Sequence, residues 1–97
     1  MLVYVAVSGE IAGRVMNDLQ SRDMMNCYIC PAFVFAYLDC DSDEEMELRL
    51  DLLSACERLI VVGEIGNREQ TEIEFAQLVK MEVLRFEPDG TLRPLGQ

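Results

Sequence analysis

Residues 2–7 read Leu2-Val3-Tyr4-Val5-Ala6-Val7, an unbroken apolar run rich in β-branched side chains. A strand with one wet face alternates polar and apolar positions; a run with no polar position suits a strand covered on both faces of a parallel sheet. Ser8-Gly9 ends it, and from Glu10 the period changes. Ile11, Val15 and Leu19 recur every four residues with Ala12 and Met16 beside them, which predicts an amphipathic helix to about Arg22.

Working outward, Cys27 to Pro31 predicts a second short strand, Leu59-Ile60-Val61-Val62 a third that stops at Gly63, and Val83-Leu84-Arg85-Phe86 a last one. Met46 to Leu52 alternates apolar and charged residues as a strand does. Leu, Glu, Arg and Met are good helix formers, however, Ser42 and Glu45 spell a capping box, and Leu53 breaks the alternation, so a helix is predicted from about Asp43 to Cys56. Asn67 and Gln70 repeat a cap-like spacing before a helix expected to bury Ile73, Ala76 and Val79. The segment 32–41, with Phe33, Phe35 and Tyr37, fits either a continued strand or a loop packed over the sheet.

The order βαβαβαβ predicts an α/β domain over residues 1–87: a three-layer α/β/α sandwich with a short, about four-stranded parallel sheet of flavodoxin or Rossmann type. Pro88-Asp89-Gly90 turns the chain into a polar tail, 88–97, with little expected structure. Ligands of such folds bind beyond the carboxyl ends of the strands, so Ser8-Gly9, Pro31 to Phe33 and Gly63 to Asn67 form the expected rim of any site.

Ninety-seven residues suffice for one core, and 51% apolar residues are enough to fill it. Eighteen acidic against eight basic residues give a formal charge of -10, which repels nucleic-acid phosphates and anionic lipid, so neither polymeric nucleic acid nor a membrane is an expected partner. The apolar start lacks a basic flank and meets Glu10 at once, unlike a signal peptide, and no apolar run reaches membrane-spanning length. Four cysteines without the density of a disulfide scaffold suggest reduced thiols and a cytoplasmic location.

Cys27-Tyr28-Ile29-Cys30 has the spacing of a redox pair or half a zinc site. In a strand, though, residues three apart face opposite ways, and the chain holds no histidine to complete a ligand set, so both cysteines are expected to be small buried residues, with no metal and no cofactor. The missing histidine also removes the usual base of serine and cysteine nucleophiles. Ser8-Gly9 offers backbone N–H groups to an anion, but one glycine is not a dinucleotide fingerprint. Most carboxylates, including Glu44, Glu45, Glu47 and Asp51, are expected to solvate helix faces. Glu72 stands apart because it lies early in a helix near the ligand edge, where the helix N-terminus favours an ionised carboxylate.

The order of these features resembles the nucleoside 2-deoxyribosyltransferase superfamily, especially its small uncharacterised branch, from about Val3 to Phe86. Val3-Tyr4-Val5-Ala6 is similar to the family's first strand, Cys30-Pro31 to the end of its second, the segment Ala55 to Gly63 to its "xCDxLxVxG", and Glu72-Ile73-Glu74-Phe75-Ala76 to its "ExExA". The resemblance implies that Glu72 is a nucleophile at the anomeric carbon of a nucleoside or nucleotide, with Tyr4 its hydrogen-bonding neighbour. Ser8, Gly9, Gly63, Gly66 and Arg68 would line the substrate pocket, and sites completed across subunits imply a homo-oligomer. The chain departs from the family pattern elsewhere: Gly66 and Arg68 replace a Ser and a Gly before the nucleophile, Lys80-Met81-Glu82 replaces Gly-x-Pro, and Ala32 replaces a histidine. Arg68 fits either a phosphate ligand or a partner for Glu72.

Overall fold

The computed structural model describes residues 1–7, 11–35 and 42–95. The described elements run β1 (Leu2–Ala6), α1 (Ala12–Arg22), β2 (Cys27–Ile29), α2 (Pro31–Val34), α3 (Ser42–Ser54), β3 (Arg58–Val62), α4 (Asn67–Leu78), β4 (Glu82–Phe86) and β5 (Leu92–Pro94). They build one mixed sheet in the order β2-β1-β3-β4-β5. The first four strands are parallel, with β1 between β2 and β3: Tyr4 aligns with Ile29 on one side and Leu59 on the other. β5 is antiparallel to β4, with Phe86 opposite Leu92.

The sheet therefore has five strands, not four, and the expected featureless tail contributes the fifth. Its brevity and the proline at its end suit an edge strand. Asp89 explains how the chain returns: it accepts from Thr91 N at 3.0 Å and Thr91 Oγ1 at 2.7 Å, closing the hairpin turn.

Alternation along the buried strands sorts the core into two layers. Tyr4, Ala6, Leu59, Val61 and Val83 face Leu53 of α3 and Ile73 and Ala76 of α4. Val3, Val5, Val7 and Ile60 face Ala12, Val15 and Leu19 of α1. The helical reading of α3 holds despite its strand-like spelling, because Met46, Arg49, Leu50 and Leu53 make one stripe at helical spacing, which places Arg49 inside.

Several local expectations change. The second strand stops at Ile29, and residues 31–34 form a short helix, neither the continued strand nor the loop expected there, with Pro31 at its first turn where a missing N–H costs nothing; 36–41 lie outside the described residues. The N-cap of α4 is Gly66 with no side-chain cap, so the Asn67/Gln70 spacing is not used as one. Val79 is exposed instead of buried, because α4 ends at Leu78 and Lys80 turns the chain with a φ of 60°. Cys27 is exposed whereas Cys30 is buried with its thiol toward Val7 O at 3.6 Å, so only one of the pair is a small core residue. Among the described residues no helix is long and apolar enough to cross a membrane.

Candidate functional site

The most unusual side chain in the core is Glu72, 1% exposed in the second turn of α4. Its place follows from helix periodicity: Glu72, Ile73 and Ala76 share the stripe that meets the sheet. A carboxylate there loses its water and needs partners. Tyr4, wholly buried in β1, supplies one by donating its hydroxyl to Glu72 Oε2.

Arg49 of α3 supplies the compensating charge. It is only 6% exposed; its guanidinium carbon lies 6.0 Å from the Phe35 ring, and its Nε lies 3.4 Å from Glu45 Oε2, inside ion-pair range but without hydrogen-bond geometry. Glu45 also meets Arg68 Nη2 at 3.4 Å. Two arginines therefore share one carboxylate beside the buried pair. Glu45 is half-buried in this network, which corrects the expectation that it merely solvates a helix face.

Burial pushes the Glu72 carboxyl above the usual carboxylate range, with the charge of Glu69 adding to the rise; the hydrogen bond from Tyr4 and the charges of Arg49 and Arg68 pull back. Burial and the neighbouring Glu72 push the Tyr4 phenol far up, so it stays a donor at any physiological pH. The arrangement holds one carboxylate oxygen in place within a low-dielectric interface.

The structure brings Tyr4 and Glu72 together and sets Arg68 nearby, on Glu45. Gly66 caps the same helix, and its carbonyl accepts from Gln70 N at 2.9 Å. Ser8 and Gly9 lie outside the described residues. Gly63 belongs elsewhere: with a φ of 79° it turns the chain off β3 and borders a cleft on the α1 face. That cleft, of about 810 Å³, and a second of about 500 Å³ between the end of α4 and the β4–β5 edge are lined by neither Tyr4 nor Glu72. Sequence reasoning missed Arg49 and Glu45, although a signal was present. Arg49 stands three residues after Met46 and four before Leu53, so a helical α3 puts it on the apolar stripe, with Glu45 one turn before it.

No group of three or more metal-ligating side chains occurs among the described residues. Comparison of the chain with protein-family models, curated proteins and solved structures gives no match in any of the three.

Proposed function

We propose that the chain processes the N-glycosidic bond of a nucleoside or nucleotide, by base exchange or hydrolysis, with Glu72 as nucleophile and Tyr4 holding it in place. The observation that supports this reading is the buried Tyr4–Glu72 hydrogen bond, since a carboxylate that only solvates a helix has no reason to be 1% exposed beside a phenol. A carboxylate oxygen would bond to the anomeric carbon as the C–N bond breaks, and the base would leave with the electron pair and take up a proton. Water or a second base would then displace the ester and restore the carboxylate, with net retention. Arg49 keeps a share of Glu72 ionised, which the first step requires. The same reading takes the fold as a three-layer sandwich of flavodoxin or Rossmann type, the chain as a homo-oligomer, and its compartment as the cytoplasm.

A second reading has its own support. Glu72 borders neither cleft, and Arg68 rests on Glu45. Both facts favour a catalytically silent module that binds a nucleotide-like ligand or serves as an interaction domain. The deciding experiment incubates purified protein and Glu72→Ala with a panel of nucleosides and 5′-nucleotides and follows free base by chromatography. Release by the wild type that disappears in Glu72→Ala supports the nucleophile. No release from any substrate leaves the silent module.

A further inference from the structure

We infer that the cleft between α1 and the β4–β5 turn is a binding site for a small organic anion, one that carries a phosphate or carboxylate beside a flat apolar body. Its volume of about 810 Å³ falls within the ordinary range for small-molecule sites. It lies beyond the carboxyl ends of β3 and β4, whose last residues, Val62 and Phe86, form its apolar floor together with Val15. Open α/β sheets place ligands beyond the carboxyl ends of their strands, beside the point where strand order reverses, which here lies on the other edge of β3, between it and β1. The pleat separates it from the buried carboxylate, because Val61 faces the helices that hold Glu72 while Val62 faces α1. It therefore stands whether or not Glu72 is a nucleophile.

The charges of the cleft are unusual for this chain. Three of its eight basic residues line it, Arg14, Arg22 and Arg85, against three of its eighteen acidic ones, Asp18, Glu87 and Asp89. Charge is thus balanced here in a protein that is strongly negative elsewhere. Arg22 is committed: it pairs with Asp18 Oδ2 at 2.7 Å, donates to the Gly90 carbonyl and lies 5.5 Å from the Phe86 ring centre. Asp89 is committed to Thr91. Arg14 has no hydrogen-bond or ion-pair partner among the described residues, and Arg85 uses only Nη2, donating to the Gly63 carbonyl at 3.2 Å. Two guanidinium groups with spare donors beside an apolar floor match a planar or tetrahedral oxyanion attached to an apolar ring.

The test titrates isotope-labelled protein with phenyl phosphate and, separately, with benzoate, following the amide signals of Val62, Gly63 and Phe86. Saturable shifts centred on these residues, with binding about tenfold or more weaker in both Arg14→Ala and Arg85→Ala, are expected. Whichever probe binds more tightly identifies the anion. Arg14→Ala removes no hydrogen bond or ion pair among the described residues, so its loss of binding reads on the cleft. Arg68→Ala, on the opposite face, is expected to bind as the wild type does. The inference fails if neither probe gives saturable shifts up to about 10 mM, or if both cleft variants bind as tightly as the wild type.

Discussion

On the side of the sheet covered by α3 and α4, the protein buries a tyrosine, a carboxylate and an arginine, and none of its described clefts touches the Tyr4–Glu72 pair. On the side covered by α1 the buried layer is wholly apolar, and the charged groups stand at the rim, where they border a cleft. The two faces share β1 and β3; β1 turns Tyr4 to one side and Val3 and Val5 to the other, and the charged residues come from the helices. The stripe of α1 carries only Ala12, Val15 and Leu19 inward, whereas those of α3 and α4 carry Arg49 and Glu72. Buried ionic groups are poor stabilisers compared with apolar packing. The proposed chemistry uses the face that holds them, and the proposed ligand capture uses the other.

The largest expected effect breaks the charge balance of the α3–α4 face. Arg49→Met keeps most of the apolar stem but removes the charge that favours ionised Glu72 and one of the two cations on Glu45, and it should destabilise the protein by about 3 kcal/mol near neutral pH, the low end of what breaking a buried pair costs. Denaturant unfolding measures it. The penalty should shrink at acid pH, where the Glu72 carboxyl holds its proton. A variant as stable as the wild type at neutral pH would mean that the arginine is a passenger in an apolar interface, and the contrast between the faces would collapse.

Glu72→Gln sharpens the same comparison through pH. The folded-state pKa of Glu72 is raised above its unfolded value, so the native state holds the proton more tightly and this residue's contribution is fully present below the unfolded pKa. Stability from this group is lost as pH climbs through the raised folded pKa. Glutamine keeps an acceptor for Tyr4 but carries no charge, so the variant should gain on the wild type from mildly acidic to neutral pH and match it more closely near pH 4. Unfolding free energies across that range provide the check, and parallel curves would show that the burial of Glu72 carries no electrostatic cost. If the carboxylate is also the nucleophile, base release should rise with pH through the same raised value.

Much of the fold was legible in the sequence because burial on two faces leaves no freedom of pattern: β1 and β3 can only read as continuous apolar runs. Glu72 was singled out for its place early in a helix, where an ionised carboxylate is expected, but its burial, which raises its pKa instead, was not legible. Less legible were features set by tertiary context. Leu92-Arg93-Pro94 has no strand pattern of its own and is ordered by its pairing with β4. Arg49 looks like a surface residue until α3 is placed on the sheet. The cleft gathers residues from α1, β3 and the β4–β5 turn, so no local spacing announces it.

The smallest effect tests whether the two faces are independent. Gly90 sits in the β4–β5 turn with a φ of 90°, a region that only glycine enters freely, and a Cβ there would stand 2.5 Å from Arg22 Nη2. Arg22 is exposed and can swing aside, so the clash is relieved by giving up its bond to the Gly90 carbonyl and its tie between the turn and α1. Gly90→Ala should therefore cost only about 1 kcal/mol in a thermal or denaturant melt, mostly as backbone strain. It should also alter anion binding in the cleft, one wall of which it releases, while the pH dependence assigned to Glu72 stays as in the wild type. A shifted pH profile in Gly90→Ala would show that the sheet couples the two faces, and cleft and carboxylate would then have to be read as one site.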